Sequence, residues 1–280
     1  GNDARIYARM EVKMKIKSCV CTDQGSRKKK NQDALILKTA RFKKRRITLA
    51  AVCDGMGGLS CGEVASAACI RMLDEWFYEE LPVLLKEEPG NTEQVIAQTK
   101  VRWKQMAAEI NLRLGGYGRL HEIRLGTTLL AVLVIGNRYL VLHVGDSRIY
   151  LHQNDRGRQL TQDHTYLQHC IAEKIMTPQQ AASDTRAGVL MQCIGASEQV
   201  SPDLFTGSLE PRAALLLCTD GFWRCRTQDE IEAILKKSFR KTESGMERML
   251  HSMVRGARKR GETDDISAVL LRMQGREKAC

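Results

Sequence analysis

Apolar positions along this chain recur with two different periods. Residues 12–21 alternate, with Val12, Met14 and Ile16 set against Lys13, Lys15 and Lys17, and predict a half-buried strand. Residues 47–53 and 215–219 are continuous apolar runs that predict buried strands. Further strands are expected at 34–39, 127–135, 139–144, 148–152 and 266–273, with Gly136-Asn137-Arg138 as a hairpin turn. The basic stretch 41–46 around Phe42 reads as a second hairpin tip. Helical spacing governs much of the rest. In 62–78, Ala65, Ala68, Cys69, Met72, Leu73, Trp76 and Phe77 share one face. A second long helix is expected over 92–114, carrying Ile96, Trp103, Ala107, Ile110 and Leu114 and closed by Gly115, Gly116 and Gly118. Thr227 and Glu230 form a capping box for a helix with Ile231, Ile234 and Leu235. Met246, Met249, Leu250, Met253, Val254 and Ala257 mark a last amphipathic helix. Residues 161–200 are the least regular and read as short helices, one starting at Thr177-Pro178.

This order of strands, long helices, strands, helices and a final strand predicts an α+β fold, two packed sheets flanked by helices. One domain is expected over 10–274, with flexible termini at 1–9 and 275–280. The chain has 280 residues, 43% of them hydrophobic, enough for a sizeable core. Its net charge of +11 permits acidic, phosphorylated or nucleic-acid partners, but a solvated basic surface is the favoured reading. Several of the ten cysteines fall inside apolar runs, and no CxxC pair occurs. Buried reduced thiols in a cytoplasmic protein are therefore expected, rather than a zinc or disulfide framework. No stretch approaches the roughly 20 apolar residues of a membrane span, and the polar start reads as no secretion signal.

The positions of the acids change this picture. The run 47–53 ends at Asp54-Gly55, and the run 215–219 ends at Asp220-Gly221. Asp264-Asp265 immediately precede the run 266–271, and Asp146 follows 139–144. Asp-Gly often does no more than make a turn. Four acids at the ends of core strands exceed what turns require, and no His or Cys cluster accompanies them. Convergent carboxylates without soft ligands suit Mg²⁺ or Mn²⁺.

The acids sit in a series of short motifs. Asp54-Gly55-Met56-Gly57-Gly58, followed by Gly62-Glu63-Val64-Ala65-Ser66, resembles the second motif of bacterial metal-dependent Ser/Thr protein phosphatases, the protein phosphatase 2C family. Thr22-Asp23-x-Gly25, Asn31-Gln32-Asp33, Gly126-Thr127-Thr128 and Gly145-Asp146-Ser147-Arg148 resemble further motifs of that family. So do Thr161-x-Asp163-His164, Thr219-Asp220-Gly221 and Asp264-Asp265-Ile266-Ser267, all in the family's order and spanning about residues 13–273. The resemblance implies a central β-sandwich of two antiparallel sheets, flanked on both faces by antiparallel helices (α-β-β-α), with a flap at about 161–200. It implies hydrolysis of phosphoserine and phosphothreonine by direct attack of a metal-bridging water or hydroxide. Two tightly bound Mn²⁺ or Mg²⁺ ions and a weaker third would serve this chemistry.

Residue by residue, the resemblance makes Asp54 the bridge between two ions, with the Gly55 carbonyl on the second. Asp220 and Asp264 would complete the first ion's ligands, Asp33 would ligate or orient water, and Asp146 would hold the third ion with Asp220. Asp33, Asp54, Asp220 and Asp264 would carry catalysis. Lys28, or its neighbour Arg27, stands where the family has a phosphate-binding arginine, and a lysine lacks the planar fork. Gln32, Leu59 and Asp265 also depart from the common pattern, Asp265 by adding negative charge near the metals. The implied partners are phosphorylated Ser/Thr proteins, among them a Ser/Thr kinase, with no membrane and a monomeric state. Two other readings compete: a pseudophosphatase that binds phosphoproteins without turnover, and a nucleic-acid-binding protein. The second is disfavoured, since aromatic residues are only 5% and no nucleic-acid motif occurs.

Overall fold

A computed structural model defines the fold and describes residues 14–56, 61–186 and 188–275. Val12, the Gly57-Gly58 pair, Leu59 and the termini 1–9 and 276–280 lie outside the described residues. The chain begins with β1 (Lys15–Asp23), β2 (Asp33–Phe42) and β3 (Arg45–Asp54), then α1 (Gly62–Glu79), α2 (Leu81–Glu87) and α3 (Thr92–Leu120). Next come β4 (Leu129–Ile135), β5 (Arg138–Val144), β6 (Arg148–Gln153) and β7 (Arg156–Gln159), followed by α4 (Tyr166–Ala172) and α5 (Pro178–Ala182). The chain closes with β8 (Asp203–Ser208), β9 (Ala214–Cys218), α6 (Asp220–Trp223), α7 (Gln228–Ser238), α8 (Glu243–Lys259) and β10 (Ile266–Gln274).

These strands form two five-stranded antiparallel sheets, one ordered β1-β10-β9-β6-β7 and the other β2-β3-β4-β5-β8. Their central strands read as unbroken apolar runs because both of their faces are covered. Along β3, Ile47, Leu49, Ala51 and Cys53 pack under α1, α2 and α3, whereas Ala50 and Val52 face the other sheet. Along β9, Leu215 and Leu217 point into the sandwich, while Leu216 and Cys218 meet α7 and α8. The result is four layers, helix, sheet, sheet, helix. An edge-to-face pair, Trp76 against Trp103 with centroids 5.3 Å apart, joins α1 to α3.

Several boundaries differ from expectation. α3 does not stop at Leu114 but runs through Gly115, Gly116 and Gly118 to Leu120. Gly118 is there for close approach, since a Cβ on it would lie 2.7 Å from Ile123 O. Short α2 and the edge strands β7 and β8 carry too little apolar periodicity to be read from the sequence. Gly275, expected in a free terminus, donates to Pro211 O at 2.8 Å. All nine described cysteines are unpaired, and no described helix is long and apolar enough to cross a membrane.

The glycines of α3 generate a test. Replacing a helical glycine with alanine ordinarily stabilises by roughly 0.5–1 kcal/mol. Gly116→Ala should do so, because only the flexible Arg119 Nη2, 3.9 Å away, faces its added Cβ. Gly118→Ala should destabilise instead, because the obstacle is backbone. Thermal unfolding of the two variants checks this opposition in sign. Equal effects would mean that the helix does not continue past Leu114.

Candidate active site

The acids gather at one end of the sandwich because each stands where a strand leaves or enters it. Asp33 opens β2 and lies directly across from Asp54, which closes β3. Asp146 follows β5, Asp220 follows β9, and Asp264 precedes β10. One hydrogen bond ties the two sheets together here: Thr219 Oγ1 donates to Asp33 Oδ2 at 2.9 Å. Ser267 N donates to Thr219 Oγ1 at 3.0 Å, and the Ser267 and Thr22 hydroxyls meet at 2.9 Å.

The motifs without acids hold the backbone in place. Thr128 N and Thr127 Oγ1 both donate to Asp54 O at 2.9 Å. Thr128 Oγ1 accepts from Asp54 N at 2.9 Å and meets Ser147 Oγ at 2.8 Å, which links Asp54 to the turn bearing Asp146. A Cβ at position 55 would lie 2.4 Å from Gly62 O and 2.5 Å from Gln32 O, so only glycine lets these backbones meet. Trp223 Nε1 donates to Asp146 O at 3.0 Å, and the Arg148 guanidinium lies 3.3 Å from the Trp223 ring centroid. Arg148 does not pair with Asp146. It forks onto Asp163, with Nε at 2.9 Å from Oδ1 and Nη2 at 2.6 Å from Oδ2.

Burial and mutual repulsion push the acids upward. Burial first, then Asp265 and Asp220, raise Asp33 to about 7 against the hydroxyl bonds it accepts. Burial, then Asp220 and Asp163, raise Asp146 to about 7. Burial, then Asp220, Asp33 and Asp146, lift Asp54 well above the carboxylate range, and burial with Asp264 lifts Asp220. Asp33 Oδ1 and Asp220 Oδ1 are buried and find no hydrogen-bond partner. Clustered acids with orphaned oxygens, all of them hard donors, fit divalent cations of the Mg²⁺ or Mn²⁺ type.

Lys28 and Asp265 pair with each other beside the acids. Asp265 is 1% exposed, and its charge still reaches Asp33. Its Oδ1 accepts from Gly25 N at 2.7 Å, and its Oδ2 accepts from Gln32 N at 2.8 Å and lies 3.1 Å from Lys28 Nζ. It organises the 24–32 loop and also adds to the negative charge felt by Asp33. An asparagine would offer one oxygen where two N–H groups and an ammonium need acceptors. Lys28 Nζ also lies 2.5 Å from Asp264 Oδ1. Burial opposes the Lys28 charge, but Asp264 outweighs it and holds its pKa above the usual value. Arg27 is exposed. The sequence did not single out Arg224, which pairs through Nη2 with Asp220 Oδ2. Its signal was a basic residue four positions after a strand-end acid.

A second cluster lies behind Asp146. His143, His164 and Asp203 bring ligand atoms within 4.8 Å of one another. Hydrogen bonding argues against a metal there. Gly145 N at 3.2 Å and Gln192 Nε2 at 2.9 Å both donate to His164 Nδ1. The orientation of Gln192 is fixed by Ser201, which donates to its Oε1 and accepts from its Nε2. The ring proton therefore sits on Nε2, donated to Asp203 Oδ2 at 3.0 Å, and leaves no lone pair for an ion. His164 instead braces the 161–200 segment against Gly145. Its far end is anchored by Ile194, which exchanges backbone bonds with Thr127 at 2.9 and 3.0 Å.

Comparison with known proteins agrees with this geometry. The family model described as protein phosphatase 2C matches residues 22–271. The serine/threonine phosphatase stp of Listeria innocua is 33% identical over 185 residues, 66% of this chain and 70% of that protein. Protein phosphatase PhpP of Streptococcus pneumoniae is 29% identical over 255 residues, 90% of this chain and 95% of that protein. The crystal structure of serine/threonine phosphatase Stp1 from Staphylococcus aureus superposes with a TM-score of 0.77 at 26% identity, covering 95% of this chain and 98% of that one.

The raised acids predict how metal-free stability depends on pH. Unfolded aspartates titrate near ~4, whereas folded Asp33 and Asp146 hold protons up to about 7. Between these values the folded state binds more protons than the unfolded state, so stability falls as pH rises through the window. Buried His143, whose pKa burial lowers, contributes with the opposite sign. In EDTA, the melting temperature of the protein should fall from pH 5 to pH 8, relative to Asp146→Asn. A difference of ~2 kcal/mol would appear as roughly 4–8 °C. Parallel pH profiles for the two proteins would show that the acids are not strained.

Proposed function

This chain belongs to the protein phosphatase 2C family and is a metal-dependent serine/threonine protein phosphatase, and from that premise we propose how its acid centre acts on phosphoproteins. The observation that carries the reading is the meeting of Asp33, Asp54, Asp146 and Asp220, with buried carboxylate oxygens left unpartnered. Residues 10–274 act as one catalytic unit, a span supported by the family match over 22–271.

Asp54, whose charge interacts with those of Asp220, Asp33 and Asp146, would hold the Mn²⁺ or Mg²⁺ ions, with the Gly55 carbonyl on the second. Asp220 and Asp264 would complete the first ion's ligands. Asp33, fixed by Thr219, would hold and orient the attacking water. Asp146 would hold a weaker third ion with Asp220. When bound, such ions make water a competent nucleophile near neutral pH and neutralise phosphoryl oxygens. The chain's own contribution is positioning. Strand ends fix the acids, the threonine and glycine contacts fix Asp54, and Trp223 fixes Asp146. Lys28 supplies positive charge beside Asp264, and Arg27 remains on the surface of the same loop. The phosphoproteins acted on would include a Ser/Thr kinase, and the enzyme would act as a cytoplasmic monomer. The cytoplasm is supported by the unpaired state of the described cysteines.

Release of phosphate from a phosphothreonine peptide in Mn²⁺ tests the reading. EDTA should abolish it. Asp54→Asn or Asp220→Asn should lower it by at least about a hundredfold, since even residues that merely support metal ligands are typically worth 10–100-fold. Near-normal rates in either variant at saturating Mn²⁺ would remove that acid from the centre.

Asp146 should separate substrates by leaving group. Asp146→Ala should lower turnover of the phosphopeptide more than that of p-nitrophenyl phosphate, because nitrophenolate departs without a proton. Equal losses on both substrates would make Asp146 a structural residue.

A further inference from the structure

Among the described residues, Arg224 is a cation at the acid centre with unfilled donors. It follows α6, four residues after Asp220, and its Nη2 pairs with Asp220 Oδ2. That is its one side-chain hydrogen bond among the described residues, so most of the guanidinium fork is unused. Its side chain is 46% exposed, whereas Asp220 is 10% exposed. The two oxygens of Asp220 are therefore divided: Oδ1 is buried and unpartnered, and Oδ2 meets the arginine. After Asp220, the acids whose charge Arg224 feels most are Asp146, Glu262 and Asp264. Its charge is shared among Asp220, Asp146 and Asp264 rather than confined to one residue.

Four neighbouring cations are committed elsewhere. Lys28 is held between Asp264 Oδ1 at 2.5 Å and Asp265 Oδ2 at 3.1 Å. Arg148 forks onto Asp163 and covers Trp223. Arg226 donates to the carbonyls of Phe222 and Met253. Arg258 is tied to Asp23 and to the Asp264 carbonyl. The base of Arg224 is also rigid. The preceding residue, Trp223, is fixed by its indole bond to Asp146 O and by Arg148 on its face.

We propose that Arg224 binds the substrate's phosphate, its planar fork taking two non-reacting phosphoryl oxygens of phosphoserine or phosphothreonine. The proposal rests on the phosphatase reading above. A phosphate dianion matches a guanidinium in charge and in bidentate geometry better than a monodentate ammonium does. Without bound cations Arg224 neutralises Asp220. Once the charge of Asp220 is satisfied through Oδ1, the arginine's attraction to Oδ2 weakens and its fork is free for phosphate. Lys28 keeps the 24–32 loop on Asp264 and Asp265 and does not take over this role.

The test compares the wild type with R224Q, R224K and K28A. Three quantities are read: KM on a phosphothreonine peptide in Mn²⁺, the calorimetric Kd of inorganic phosphate for the Mn²⁺-loaded protein, and the Kd of Mn²⁺ itself. R224Q should raise KM and the phosphate Kd by about tenfold or more, as expected for loss of charge-assisted hydrogen bonds. Its Mn²⁺ affinity should stay equal or tighten, because a competing cation has gone. R224K should recover part of the loss, and K28A should leave the phosphate Kd less affected than R224Q does. Unchanged KM and phosphate Kd in R224Q would overturn the proposal. Mn²⁺ affinity falling in step with phosphate affinity would also overturn it, making Arg224 a prop for Asp220. If R224Q melts early, R224K carries the same reading. Absence of turnover in the wild type would defeat the phosphatase reading alone, because phosphate calorimetry tests Arg224 without catalysis.

Discussion

Like charge brought together away from water is the constraint on which this molecule depends. Burial raises the cost of ionising all four of Asp33, Asp54, Asp146 and Asp220, and the charge of Asp220 adds to it at the other three. Nothing local keeps them together. Their proximity is imposed by two sheets whose strands are covered on both faces, so that moving one acid would require sliding a strand inside a packed core. The Thr219 hydroxyl on Asp33 closes the two sheets onto one another at the point of greatest repulsion. The fold thus stores electrostatic strain at one end and holds it with apolar packing along its length.

Positive side chains relieve part of that strain, and they do so from sequence neighbourhoods that do not announce it. Arg224 reaches Asp220 from the turn after α6. Lys28 reaches Asp264 and Asp265 from a loop more than two hundred residues away in sequence. The departures at positions 28 and 265 explain one another: the lysine and the acid form a pair, and with Gly25 and Gln32 they close the loop next to the centre. Read singly, each looked like erosion of a site. Read together, they are one substitution of contacts.

The acid positions were legible in the sequence because a strand buried on both faces leaves an unbroken apolar run, and the end of such a run is visible. The end of α3 was not legible. Three glycines signal a stop, yet Gly118 is there to let Ile123 approach, a reason that exists only in three dimensions. β7 and β8 were missed because no residue in either is fully buried, so no apolar pattern marks them. The role of Gly126-Thr127-Thr128 was likewise hidden. The motif is a matter of backbone hydrogen bonds to Asp54, and composition carries no trace of them. Arg224 escaped notice because a helix as short as α6 shows no periodicity from which an i to i+4 pair could be read.

The placing of the aromatic residues has an optical consequence. The protein has three tryptophans. Trp76 and Trp103 are buried edge to face in the helical layer, where each is the other's nearest ring. Trp223 alone borders the acid centre, with its N–H on the Asp146 carbonyl and a guanidinium across its face. Intrinsic fluorescence therefore divides into a constant contribution from the internal pair and that of a single indole whose emission responds to the charge beside it. The enzyme carries its own reporter of what occupies the centre, and no label has to be introduced to read it.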